Sequence, residues 1–107
     1  MSDLTAIFVK PGYETLAVEL QKALNQSQVG KGSERHANAR PFVHQPIMEI
    51  SRMVGPGGTA YQVMKKTQEA LGMVDRGQND RAIAELHGAI IYAAACALLI
   101  REQLPDG

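Results

Sequence analysis

The stretch Arg81 to Leu104, RAIAELHGAIIYAAACALLIREQL, decides how this chain folds, because no other segment is long enough or apolar enough to serve as a core. Ala, Leu, Glu, Arg and Gln are strong helix formers, Asp80 can accept N–H groups at the start, and Pro105 lies just beyond the end, so the segment predicts one helix. A helix that covers one side of a core carries an apolar stripe about 100° wide, yet from Gly88 to Ile100 the only polar groups are the Tyr92 hydroxyl and the Cys96 thiol. Such a helix needs cover all round. The run of 13 apolar residues from 88 to 100 falls short of the roughly 20 that cross a bilayer, and Glu85, His87, Arg101 and Glu102 bracket it, so it reads as a buried core helix. Ala84 and Gly88, and then Ala89, Ala93 and Ala97, recur one turn apart, a small-residue ridge that suits a closely packed helix partner.

The rest of the chain is set by what that helix needs. At 107 residues the chain predicts a single helical domain, 1–107, near the small end of what folds alone. Eleven basic and eleven acidic residues leave no net charge to gather nucleic acid or an anionic membrane, so neither is an expected partner. One cysteine excludes an internal disulfide, and Cys96 in the apolar run reads as a small core side chain in a reducing compartment. The opening MSDLTAIFVKPG has no basic segment followed by a long apolar one, so a cytoplasmic protein is expected.

Taken from the start, residues 1–12 read as an extended arm, with Leu4 to Val9 the one strand candidate, and Tyr13 to Gln28 as a one-sided helix on Leu16, Ala17, Leu20, Ala23 and Leu24. Residues 29–45 read as a long loop with two glycines, a proline and a cluster of basic residues. Pro46 suits the first turn of a short helix that Gly55-Pro56-Gly57-Gly58 stops. Thr59 then caps a helix over Ala60 to Met73, with Ala60, Val63, Met64, Thr67, Leu71 and Val74 facing inward and Lys65, Lys66, Gln68 and Glu69 outward. The fold class is therefore all-α, about four helices around a long apolar C-terminal helix, with an extended N-terminal arm.

Catalytic signatures are missing. Gly30-Lys31-Gly32-Ser33 has the residues of a phosphate-binding loop in the wrong order, no histidine pair brackets a glutamate at helical spacing, and there is no serine nucleophile elbow. Ser33 reads as a loop residue and Ser51 as a solvent-facing helix residue. A loop longer than about 12 to 15 residues in a compact domain is usually functional or disordered. Here Lys31, Arg35, His36, Arg40 and His44 supply donors that converge readily on a phosphate or carboxylate, so they form the candidate anion or nucleotide site. His87, on the central helix, reads as a buried histidine with a hydrogen-bond partner rather than a ligand.

From Gly32 to Glu102 the order of elements resembles the all-α nucleotide pyrophosphohydrolases, phage-borne members included, on Glu34-Arg35-His36, Glu49, Glu69 and Glu85-Leu86-His87. The resemblance implies dimers or tetramers assembled around Mg²⁺, with Glu49 and Glu85 as its candidate metal residues. This chain lacks the paired glutamates, ExxE, on which that family's metal site rests, since Mg²⁺ wants several hard oxygen ligands in near-octahedral array. Two expectations follow. The preferred one is a phage-derived interaction or structural protein that assembles with itself as a dimer or larger, without catalysis. The other is a divergent nucleotide pyrophosphohydrolase or nucleotide-binding protein taking a phosphate-bearing small molecule with Mg²⁺.

Overall fold

The computed structural model describes residues 8–29 and 40–105 and is all-α, with four α-helices and no strand among the described residues. Helix α1 spans Glu14–Gln28, α2 Pro46–Val54, α3 Pro56–Asp75 and α4 Asn79–Glu102; a single 3₁₀ turn, Phe42–His44, precedes α2. The arm over residues 1–7 and most of the long loop, 30–39, lie outside the described residues. Phe8 to Lys10 carry no regular structure, and a turn with Gly12 at φ +94° leads into α1.

Helices α3 and α4 form an antiparallel hairpin. Gly77 supplies the left-handed residue, at φ +75°, that closes α3, and the Gln78 amide donates back to the Met73 carbonyl at 2.8 Å. That pairing uses the last carbonyls of α3 and reverses the chain within three residues. The hairpin packs through small side chains: Thr59 and Ala70 on α3, and Ala82 and Ala89 on α4, are buried. At Gly88 a Cβ would stand 3.2 Å from the Lys66 side chain, so the absent side chain makes room for the lysine stem. Helix α1 lies on the N-terminal half of α4, where Gln26 donates to the Ala84 carbonyl at 3.0 Å. Helix α2 lies on the C-terminal half, where Met48, Ala95 and Leu99 form the core with Phe42, Ile47 and Leu98 around them.

Several expectations need correction. Helix α3 starts four residues earlier than expected, because only Gly55, at φ +97°, breaks the chain and Pro56 opens the new helix with its fixed φ. Thr59 is therefore an inner residue, buried and donating to the Pro56 carbonyl at 2.8 Å, rather than a cap. The face is shifted too: Thr59 and Ala70 point into the protein, while Met64, Leu71 and Val74, expected inside, are 65%, 64% and 49% exposed. Small residues allow close approach to α4, and that contact outweighs the burial of the larger side chains on the other face. Lys66, expected outside, runs its stem over Gly88 and is half-buried. Ser51 is buried rather than solvent-facing, its hydroxyl donating to the Ile47 carbonyl one turn back. At the start of α4, Gln78 is the capping position and no side chain caps the helix, so Asp80 sits in the first turn instead.

Candidate functional site

The chain does not cover its own central helix. Ala82, His87, Ala89, Ala95 and Leu99 are buried, but on the other side of α4 Ile83, Leu86 and Ile100 stand 47%, 40% and 45% exposed, with Ala93, Ala94 and Ala97 open between them. Along α4, Ile83, Leu86, Ile90, Ala93, Ala97 and Ile100 follow one another at alternating intervals of three and four. That alternation keeps side chains along one seam and is the spacing by which helices pack against helices. Among the described residues the fully buried hydrophobic set is Ala23, Met48, Ala70, Ala82, Ala89, Ala95 and Leu99, five alanines in seven. The larger apolar side chains, Leu16, Leu20 and Leu24 on α1 among them, face out at 55%, 46% and 43%. By length and composition α4 is also the one helix among the described residues apolar enough to cross a membrane.

Polar side chains hold the covered side of α4 in place. His87 is 7% exposed and its Nε2 donates to Glu19 Oε2 at 2.5 Å, which fixes α1 and holds the Glu19 carboxyl below its ordinary range. Arg52 donates through Nε and one terminal nitrogen to both Glu102 oxygens, at 2.9 and 2.8 Å, and to the Val43 carbonyl at 2.6 Å. This two-pronged contact lowers the Glu102 carboxyl and raises the Arg52 guanidinium. Lys66 Nζ lies 3.8 Å from Glu85 and 5.7 Å from the centre of the Tyr92 ring. The expected buried histidine with a partner is therefore found at His87. Its partner, Glu19, has no local signal to point to it, because the two residues lie 68 positions apart.

The candidate anion residues divide. Lys31, Arg35 and His36 lie outside the described residues. Arg40 is committed to its own neighbourhood: it donates to Glu49 at 3.2 Å and to the His44 carbonyl at 3.4 Å, while Gln45 donates to the Arg40 carbonyl at 2.8 Å. His44 is exposed in the 3₁₀ turn. The candidate metal residues are paired separately, Glu49 with Arg40 and Glu85 with Lys66, and no group of three His, Cys, Asp or Glu side chains able to hold a metal occurs among the described residues. Cys96 is half-buried, its thiol 3.7 Å from the Pro56 carbonyl.

A cleft of about 220 Å³ opens between α1, α2 and the hairpin, lined by Ser27, Phe42, Ile47, Lys66, Gly88 and Tyr92 among others. That volume is below the ~300 to 1,000 Å³ usual for a small-molecule site. Its one cation, Lys66, already faces Glu85. No protein-family model, curated protein or solved structure matches this chain.

Proposed function

We propose that this protein is a non-catalytic helical assembly unit that packs against copies of itself through the open seam of α4. The observation that carries the reading is the seam: an apolar row in three-four alternation, left bare by a chain whose own buried set is mostly alanine. Fully burying a large aliphatic side chain is worth ~1.5 to 3 kcal/mol, so covering what remains exposed of Leu86, Ile100 and Leu104 contributes on the order of 1 kcal/mol each. Association itself costs ~4 to 15 kcal/mol, as much as or more than the roughly 6 kcal/mol that these residues of two copies supply, so an assembly also draws on the exposed apolar rows of α1 and α3.

The alternative, a nucleotide-handling enzyme, draws no support from Arg40, Glu49 and Glu85, each of which is held in an ion pair of its own. Insertion of α4 into a bilayer is disfavoured because its other faces hold α1, α2 and α3 through Glu19, Arg52 and Lys66. Analytical ultracentrifugation at micromolar concentration, with and without phosphatidylcholine vesicles, tests the reading. A dimer or larger species free of lipid is expected. A monodisperse monomer, or protein that floats with vesicles and is otherwise monomeric, overturns it.

A further inference from the structure

Helices α2 and α3 are joined by a single residue, Gly55 at φ +97°. Helices that run side by side need a connection of about two to five residues, so these two part from the joint like the arms of a V. Near the joint they touch. A Cβ on Gly58 would stand 2.7 Å from Val54 Cγ1, so the missing side chain lets the first turn of α3 pass the last turn of α2. Beyond that point the arms leave a cleft of about 340 Å³ between them, with Tyr92 of α4 also lining it. It shares Ile47 and Tyr92 with the smaller cleft beside Lys66, and unlike that one it falls within the ~300 to 1,000 Å³ usual for a small-molecule site.

The lining decides what chemistry fits. Among the described residues no Asp, Glu, Lys, Arg or His lines this cleft, so a charged group placed in it would lose water and meet no opposite charge. Ser51 and Thr59 are its most deeply buried lining residues, 5% and 2% exposed, and each hydroxyl already donates to a carbonyl of its own helix, at 2.5 and 2.8 Å. What they still offer a ligand is an acceptor. Tyr61 and Tyr92 supply two aromatic rings, and Ile50 and Tyr61 leave large apolar surface open, at 58% and 56% exposure. We propose that the cleft binds one neutral, flat aromatic molecule of about two fused rings that carries a hydrogen-bond donor, a ring N–H or a hydroxyl. Size follows from the volume: an enclosed cavity of about 150 Å³ holds benzene, so this larger and partly open one takes a second ring. The two tyrosines pack against the rings, and the buried hydroxyl oxygens accept from the donor. Such a ligand ties α2 to the hairpin of α3 and α4, a role separate from the seam.

Indole is the probe, being neutral and bicyclic with one N–H. Isothermal titration calorimetry on the full chain is expected to show saturable binding of one indole per chain. N-Methylindole, which lacks the donor, and the indole carboxylate ion, which carries a charge, should each bind about tenfold more weakly or worse. Tyr61→Ala, at an exposed position, should keep the helix content seen by circular dichroism and weaken indole about tenfold. If that variant fails to fold, Ile50→Ala, equally exposed, carries the same expectation. The proposal is overturned by the absence of saturable binding at millimolar indole, or by binding that the folded variant keeps in full. It is also overturned if either indole derivative binds as tightly as indole itself. Should added indole break up an assembly seen by sedimentation, a side chain of a second copy fills the cleft, and the small-molecule site is lost as well.

Discussion

His87 and Glu19 meet at 2.5 Å, the imidazole 7% exposed and the carboxylate half open to solvent, and this contact joins α1 to the covered side of α4. A second carboxylate does the same at the other end of the helix, where Glu102 receives Arg52 from α2. The hydrogen bond from His87 is the main cause that lowers Glu19, and the hydrogen bonds from Arg52 are the main cause that lowers Glu102, each from an ordinary value of 4.5. A carboxylate whose folded pKa is depressed stabilises fully above its unfolded value, and that contribution fades as the pH falls through the lower folded value. The protein is therefore expected to hold its stability from neutral pH to about 5 and to lose it progressively below about 4.5. Thermal melts between pH 7 and pH 3 check this. Glu19→Gln and Glu102→Gln should each flatten the decline; an unchanged profile in both would remove these clamps from the account.

Among the described residues, Leu99 and Met48 are the large hydrophobic side chains that are fully buried, and they pack together where α2 meets α4. Leu99→Ala is expected to cost roughly 2 to 5 kcal/mol, the range for a leucine removed from a packed core. Leu24→Ala, at a position 43% exposed in the single chain, should cost about 1 kcal/mol or less unless assembly covers it. Urea titrations of the two variants below the assembly concentration separate these values. Equal losses would place the core elsewhere.

What could be read in the sequence was the long C-terminal helix and its need for cover, because composition and helix formers act locally and Arg81 to Leu104 carries both in excess. The extent of α1 and α2 was equally legible, from the periodicity after Tyr13 and from Pro46. Which face of each helix turns inward was not. Apolar periodicity points to Met64, Leu71 and Val74, but close approach of α3 to α4 depends on Thr59, Ala70, Ala82 and Ala89, residues whose small size gives no signal in hydropathy. Within the uniformly apolar run of α4, hydropathy does not separate Leu99, which is buried, from Ile91 and Leu98, which are half-buried. The Glu19 and Arg52 clamps were hidden by sequence separations of 68 and 50 residues.

Arg40 sits in an exposed ion pair, 52% and 50% open on its two sides, and such pairs contribute ~0 to 1 kcal/mol. Arg40→Ala is expected to lower stability by less than about 1 kcal/mol, and the loss should shrink further in 0.5 M salt, where the screening length falls below roughly 5 Å. Chemical denaturation at low and high salt measures it. Because its guanidinium already has Glu49 and the His44 carbonyl as acceptors, inorganic phosphate should protect wild type and variant to the same small extent. Strong protection of the wild type that vanishes in Arg40→Ala would restore the anion site.

Ala93 and Ala95 are two residues apart on α4 and face opposite fates. Ala95 is 0% exposed, enclosed by Met48 and Leu99, whereas Ala93 is open at the middle of the seam. A glutamate at either position carries the same charge and nearly the same helix propensity, so any difference between the variants comes from what surrounds the side chain. Ala95→Glu buries an unpaired carboxylate among apolar groups, which costs several kcal/mol, and should unfold the chain or leave it far less stable. Ala93→Glu points into solvent in the single chain and should leave helix content intact. In the assembly the same carboxylate lies within the covered seam, so Ala93→Glu is expected to sediment as a folded monomer at concentrations where the wild type is associated. Circular dichroism and sedimentation on both variants decide the matter together. If Ala93→Glu remains associated, the seam is not the interface, and if it unfolds as readily as Ala95→Glu, that side of α4 is covered within the single chain after all.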